Sequence, residues 1–189
     1  LNAGVVHTGT AVPYEPVTYG PVAAEEPVIL VEEPVTDFGP ILEPHGRWIR
    51  TATCGRAWRP HAHIVGAGFM PYRTGGQWVS TDQGWSFDTD WDWGWAVFHY
   101  GRWCPDPGRG WLWVPGTEWA PAWVEWRTGG GYIGWAPLLP ATMVILEVHW
   151  IFVESRHFHQ RHTVEHTLPP HQAHHALEEA RVHIPLAEG

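Results

Sequence analysis

The sequence contains no lysine, so apart from its histidines every one of its basic side chains is an arginine. The formal net charge is −9, and only 16% of the residues are charged. Nucleic acids carry a dense negative charge and are bound mainly through basic side chains. We therefore expect no nucleic-acid partner for this chain.

Long apolar runs are also absent. A helix that crosses a membrane needs about 20 consecutive apolar residues, and the most apolar stretches, residues 143–146 and 148–153, are far shorter. We expect no transmembrane segment. The chain starts at Leu1 without a signal-peptide pattern, as a processed and exported protein would.

Recognisable catalytic motifs are missing as well. Serine occurs only at Ser80, Ser86 and Ser155, and none of them lies in a GxSxG motif. The sequence has no phosphate-binding loop and no dinucleotide fingerprint. Acidic residues are present, but none of them stands out as a glycosidase pair. We expect a protein that is not an enzyme.

Cysteine occurs only twice, as Cys54 and Cys104. An even number of cysteines in an exported chain predicts one disulfide. It would close a loop of about 50 residues and stabilise the fold by about 4 kcal/mol in the chain-entropy description. The alternative is a pair of buried free thiols. A catalytic cysteine is not expected, because nothing near either residue would activate it.

Tryptophan, in contrast, is abundant, and most of the 15 residues lie between positions 76 and 137. Trp48 and Trp58 have the same spacing as Trp103 and Trp113, and each pair is followed two positions later by proline. A related copy surrounds Trp78. Turn-forming Gly, Pro and Asp separate the two tryptophans of a pair. The repeat predicts about three antiparallel hairpins with a tryptophan on each strand.

Aromatic and acidic residues alternate along residues 88–95. In a strand, alternate side chains point to opposite faces of the sheet. The tryptophans would face one way and the carboxylates the other: Trp91, Trp93 and Trp95 against Asp88, Asp90 and Asp92. We therefore expect an all-β fold of antiparallel Trp-rich hairpin repeats that form a small barrel or sandwich.

Several motifs resemble a Trp-rich family of bacterial secreted and envelope proteins with YxWGxW-like repeats and no known function. They are WGWA at 93–96, HYGRW at 99–103, GWLWVPG at 110–116, WAPAWV at 119–124 and GYIGWAPL at 131–138. The resemblance covers roughly residues 37–170. It implies an all-β domain and export from a Gram-negative cell, to the periplasm, the outer-membrane surface or the medium. It implies no activity.

The first 45 residues have a different composition, with frequent prolines and acidic side chains but no arginine. We expect three regions: an extended Val/Pro-rich acidic arm (1–45), a Trp-rich all-β domain (46–154) and a His-rich tail with a short helix (155–189). A candidate assembly strand lies in the arm and consists of Val28, Ile29, Leu30 and Val31. It would pair with a sheet edge of a neighbouring copy and build a fibre. The alternatives are a disordered acidic linker and a monomer whose arm packs on itself or stays loose.

Histidines accumulate towards the C-terminus. Neutral imidazoles bind Zn, Cu or Ni, and the candidate ligands are His157, His159, His171, His174 and His175. A second candidate is a Ca²⁺ site at Asp88, Asp90 and Asp92, although the spacing does not fit an EF-hand. The alternatives are a solvated polar tail, a pH-responsive histidine surface and a solvated strand face.

A domain of this size can hardly bury every indole ring, so some should be exposed. The candidate aromatic surface consists of Trp91, Trp93, Trp95, Trp119, Trp123 and Trp126, and arginines are expected to stack on tryptophan rings: Arg47, Arg56, Arg102 and Arg109. Exposed tryptophan and arginine are typical of protein interfaces. We expect a structural or assembly protein of the envelope that contacts itself or other envelope proteins. The alternatives are a polysaccharide-binding module and a periplasmic metal-binding protein.

Overall fold

Short antiparallel strands joined by tight turns dominate the computed structural model, which describes residues 37–158 and 163–182. The strands are β1 (Gly46–Thr51), β2 (Gly55–Pro60), β3 (Gly76–Thr81), β4 (Gly84–Thr89), β5 (Arg102–Asp106), β6 (Gly110–Val114), β7 (Val124–Gly129), β8 (Tyr132–Pro137), β9 (Ile151–Glu154) and β10 (Arg181–Val182). The helices are α1 (Gly39–Leu42), α2 (Ala62–Val65), α3 (Gly94–His99), α4 (Ser155–Phe158) and α5 (Pro170–Glu179). The predicted all-β class is confirmed.

The strands form three separate antiparallel sheets. The first sheet has the order β1-β2-β6-β5, the second contains β3 and β4, and the third has the order β10-β7-β8-β9. Within the described part of the chain, none of these sheets closes into a barrel. Of the two expected arrangements, a small barrel or a sandwich, the closed barrel is not formed, and the expected hairpins are present. The hairpins pack together because each of them has an aromatic face to bury.

A row of four tryptophans crosses the first sheet. Trp48 pairs with Trp58, Trp58 with Trp113, and Trp113 with Trp103. Trp58, Trp103 and Trp113 are almost completely buried. Cross-strand neighbours on one face stabilise a sheet through their contacts. The two hairpins with identical tryptophan spacing therefore join into one sheet through their second strands.

The repeat has a further copy that the sequence interpretation missed. Trp126 on β7 pairs with Trp135 on β8. The signal was available, because Trp135 is followed two positions later by Pro137, just as the second tryptophan of the first and third hairpins is followed by proline. In the β3–β4 hairpin, Trp78 pairs with Phe87 rather than with a tryptophan. Aromatic pairs thus connect the strands of all four hairpins.

The strand predicted over residues 88–95 is wrong beyond Thr89. β4 ends at Thr89, a turn follows, and α3 begins at Gly94. Trp91 and Trp93 stack with 4.9 Å between ring centroids, across the turn instead of along a strand. Three consecutive residues of α3 are buried: Ala96, Val97 and Phe98. A strand cannot bury consecutive side chains on a single face, so tertiary packing overrides the local alternation.

The predicted extended arm does not reach residue 45. Residues 39–42 form α1, with proline in its first turn, where a missing N–H group costs nothing. Phe38 and Leu42 are buried in the aromatic core, and the Trp58 indole N–H donates to the Leu42 carbonyl at 3.0 Å. Residues 1–36, including the candidate assembly strand, lie outside the described residues.

Tyr72 is buried in the aromatic core and forms hydrogen bonds with three other segments. Its hydroxyl donates to the Phe98 carbonyl at 3.0 Å and accepts the Trp123 backbone N–H at 3.1 Å. Its carbonyl accepts the Trp135 indole N–H at 2.9 Å. Burial raises the pKa of the Tyr72 phenol above its ordinary value. Tyr72 also has a φ of 60°, which is strained for a residue other than glycine, and these hydrogen bonds offset that strain.

The predicted disulfide is present. Cys54 at the β1–β2 turn bonds to Cys104 on β5, with 6.0 Å between the Cα atoms. Both cysteines are buried against Ala57 and Leu112. The bond links the first and third hairpins, in agreement with the sequence prediction.

The segment after residue 154 contributes to the same packed unit. Phe158 is buried among the core aromatics, while Ala176 and Ala180 pack on a smaller cluster beside the third sheet. β10 pairs with β7. The short helix predicted in the His-rich tail is α5, and it begins at Pro170.

Candidate functional site

The predicted aromatic surface is largely buried. Trp93 and Trp126 belong to the core, so their assignment to an exposed surface is wrong. Trp91 and Trp123 are partly buried. The exposed members are Trp95, at 39% exposure, and Trp119, at 49%. Indoles fill the space between hairpins, and this is how a small domain accommodates so many of them.

Two arginines stack on tryptophan as expected. The Arg56 guanidinium lies 4.7 Å from the Trp48 ring centroid, and that of Arg102 lies 3.3 Å from the Trp123 ring centroid. Arg102 is also partly buried, and this burial lowers its pKa. Such cation–π contacts cover indole faces that the core leaves open.

The described candidate metal ligands do not form a metal site. Among the residues the structure describes, no three His, Cys, Asp or Glu side chains form a group that could hold a metal ion. His157 stacks on His166, His174 bonds to Glu147 at 2.6 Å, and His175 packs near Tyr132. His159 lies outside the described residues.

The candidate Ca²⁺ ligands are likewise spread over different local structures. Asp88 lies on β4 opposite Gln77. Asp90 follows the end of that strand, and Asp92 lies in the turn before α3. The alternating carboxylates therefore do not form one face.

Basic side chains are concentrated on the β1–β2 hairpin. Arg47 lies directly opposite Arg59, and Arg50 lies directly opposite Arg56. Like charges in directly opposite positions destabilise an antiparallel pair. No described carboxylate lies within ion-pair distance of any of these four arginines. The hairpin therefore carries positive charge that no described ion pair neutralises.

A small cavity of about 170 Å³ opens at one end of this hairpin, which we call the arginine pocket. Three arginines from three segments line it together with a histidine: Arg47, Arg59, Arg109 and His61. Trp111 and Phe69 supply aromatic walls, and none of the described lining residues is an Asp or a Glu. Of the three guanidiniums, Arg109 is paired with the buried Asp106 at 3.1 Å. The pocket is suited to a negatively charged group.

β1 is also an open edge of the first sheet. It is bonded to β2 on one side, and nothing in residues 37–158 or 163–182 makes a backbone hydrogen bond to its other side. The unpaired N–H and C=O groups of an edge strand are a template for another strand. The open edge and the arginine pocket therefore adjoin each other on the same hairpin.

A second, larger cavity of about 540 Å³ lies between residues 147–151 and the start of α5. Trp150, Ile151 and Leu168 line it, and the His174–Glu147 pair stands at its margin. An apolar tract beside it is exposed, with Val144 at 75%, Leu146 at 57% and Val148 at 77%. Exposed apolar groups of this kind mark contact surfaces.

Comparison with protein families identifies one match. The family of unknown function DUF6600 matches residues 40–142, which include β1–β8, the disulfide and the arginine pocket. The chain belongs to the DUF6600 family. No curated protein and no solved structure matches it. In this DUF6600 member, the acidic residues 1–36, β9 and the His-rich α5 all lie outside the matched segment.

The sequence interpretation did not identify the arginine pocket, although a signal for it existed. Once Trp48 is paired with Trp58, the register of the hairpin places Arg47 opposite Arg59 and Arg50 opposite Arg56. The sequence also predicted that the chain has no transmembrane segment. No helix in the described part of this DUF6600 member is long and apolar enough to cross a membrane.

Proposed function

We propose that this protein is an exported, non-enzymatic structural protein that assembles through its acidic N-terminal arm. The arm, residues 1–36, adds a strand to the open edge of β1 on a neighbouring copy. The observation that carries the proposal is the outer edge of β1, which pairs with no strand in the described part of the chain and belongs to a hairpin with four arginines. The arm has glutamates but no arginine, so its charge is complementary to that edge.

In strand addition, main-chain hydrogen bonds provide the affinity, and contacts of the side chains provide the specificity for one segment. The strip Val28–Val31 is apolar and is flanked by Pro27 and Pro34. Prolines are tolerated next to a strand and stop the pairing beyond it. When each copy lends its arm to the next, the contact is heterologous, and repetition produces a filament.

Export and a structural role are supported by independent features. Disulfides persist in oxidising compartments outside the cytosol, and Cys54 and Cys104 form one. The sequence carries none of the nucleophile, phosphate-loop or dinucleotide motifs considered above. The bacterial envelope is the location that the resemblance to Trp-rich secreted and envelope proteins implies.

The test is assembly of the full chain as a function of concentration, followed by sedimentation velocity and negative-stain electron microscopy. We expect oligomers or fibres, and we expect Leu30→Asp to abolish them. Thr18→Asp adds the same charge outside the strip and is the matched control. Deleting residues 1–36 should leave a folded monomer, as judged by near-UV circular dichroism. A full chain that stays monomeric at high concentration contradicts the proposal.

Polysaccharide binding is the second candidate, and exposure of Trp95 and Trp119 is the observation in its favour. Trp119 lies beside His99, with 5.7 Å between ring centroids. Indole faces of this kind stack on sugar rings. Retention on insoluble cell-wall polysaccharide, lost in Trp119→Ala but kept in Val79→Ala, would support this function in place of assembly.

A further inference from the structure

The arginine pocket holds more positive charge than the described part of the chain neutralises. Arg47 and Arg59 are direct cross-strand neighbours, an arrangement that costs stability when both are charged. Among residues 37–158 and 163–182, no carboxylate lines the pocket. Asp106 bonds to Arg109, and its side chain is only 2% exposed, so it is committed to that arginine. Two guanidiniums therefore remain for an external anion.

The size and the walls of the pocket restrict that anion. A volume of about 170 Å³ is below the range of about 300–1,000 Å³ that is typical of drug-sized ligands. A carboxylate-bearing side chain fits such a space. A guanidinium binds a carboxylate through two parallel hydrogen bonds, and Trp111 and Phe69 can cover the apolar stem of the side chain.

The source of such side chains is in the chain itself. The arm contains two pairs of adjacent glutamates, Glu25–Glu26 and Glu32–Glu33, on either side of Val28–Val31, and it has no arginine or lysine to neutralise them. A strand that pairs with the edge of β1 places residues at its ends near the ends of that hairpin. The arginine pocket lies at one of those ends.

We infer that the arginine pocket binds the carboxylates of one of these glutamate pairs, and that it fixes the position of the arm on the first sheet. This inference rests on the proposed function, in which a neighbouring copy supplies the arm. The pocket gives specificity to an interaction that backbone hydrogen bonds alone would leave free to slip along the edge. Because the contact joins guanidinium and carboxylate groups, added salt should weaken binding of the arm strongly.

The absence of lysine permits a direct test. Arg59→Lys in the full chain keeps the charge and introduces the only side-chain amine in the molecule. A carbodiimide then forms an amide between that amine and any carboxylate it contacts, and mass spectrometry identifies the partner. Mixing ¹⁴N- and ¹⁵N-labelled protein separates links within one chain from links between copies. Arg50→Lys, on the same hairpin but outside the pocket lining, is the matched control.

We expect links from position 59 to one of the four arm glutamates, several-fold more abundant than from position 50 and lost at high salt. Links between copies support both the pocket and the assembly. Links only within one chain support the pocket but contradict assembly between copies. Near-UV circular dichroism verifies that each variant is folded.

Three results would overturn the inference. The first is assembly of the chain in sedimentation without arm links from position 59, which leaves the proposed function intact. The second is a set of links confined to carboxylates of residues 37–182, which would show that the body neutralises the pocket. The third is binding of a labelled uronic-acid oligosaccharide that Arg59→Gln abolishes, without any arm link. That result would assign the pocket to acidic glycans.

Discussion

Trp113 is the residue whose removal should cost the most stability. Its side chain is fully buried, and it is the paired neighbour of both Trp58 and Trp103. Its indole N–H donates to the Tyr100 carbonyl at 2.8 Å, and Phe38 contacts it edge-on with 5.1 Å between ring centroids. Trp113→Ala therefore removes the centre of the tryptophan row together with a buried hydrogen bond.

The magnitude follows from the buried area. A tryptophan side chain buries about 150–250 Å², and about 25 cal/mol per Å² gives roughly 4–6 kcal/mol as an upper bound. Measured Trp→Ala and Phe→Ala substitutions in cores cost about 3–5 kcal/mol. An unpaired Tyr100 carbonyl adds to the cost of Trp113→Ala. We expect a loss of about 4 kcal/mol, and a smaller loss of about 1–2 kcal/mol for Trp113→Phe, chiefly from the lost hydrogen bond.

The assay is equilibrium unfolding in urea, followed by far-UV and near-UV circular dichroism with the disulfide intact. Trp119→Ala is the control. Its side chain is 49% exposed, and we expect a change within about 0.5 kcal/mol. A loss below about 1 kcal/mol for Trp113→Ala would refute the reasoning. If partner or glycan binding disappeared at the same time, the tryptophan row would be a binding surface and not a core.

The remaining predictions concern the disulfide and two histidines. Reduction of the Cys54–Cys104 bond should lower the free energy of unfolding by about 4 kcal/mol, and two free thiols in the intact mass of native material would contradict the bond. Burial lowers the pKa of His149. The stability that neutral His149 contributes is therefore present above about pH 6.5 and is lost as the pH falls. His149→Asn should reduce the fall in Tm on acidification. The carboxylate of Glu147 raises the pKa of His174. The stability that protonated His174 contributes is therefore present below about pH 6.5 and is lost as the pH rises through the raised pKa. His174→Gln should reduce the fall in Tm as the pH rises. Identical Tm–pH curves for wild type and variant would refute either statement.

Local sequence was sufficient to predict the hairpins. Turn residues between tryptophans at fixed spacing determine where the chain reverses, and the reversal determines the cross-strand register. Trp48 with Trp58 and Trp103 with Trp113 were therefore predictable pairs. The disulfide followed from a count of cysteines.

The alternation along residues 88–95 was misleading because a period of two is a local signal. The chain could satisfy it with a strand, but it instead stacks Trp91 on Trp93 across a turn and buries consecutive residues of α3. Phe38 and Leu42 likewise join the core from a segment with the composition of an extended arm. Burial of large apolar side chains outweighs propensities that differ by only about 1 kcal/mol or less per residue.

By itself, the sequence determined the all-β class, the two tryptophan hairpins with matched spacing and the cysteine pair. It also determined the opposed arginines, since the tryptophan pairing fixes their register. Only the tertiary structure decided that β2 pairs with β6, which leaves β1 as an edge, and that Arg109 joins Arg47 and Arg59 at one pocket. Turns act on neighbouring residues, whereas these contacts join residues distant in the chain, and only packing of the whole aromatic core selects among the ways to form them.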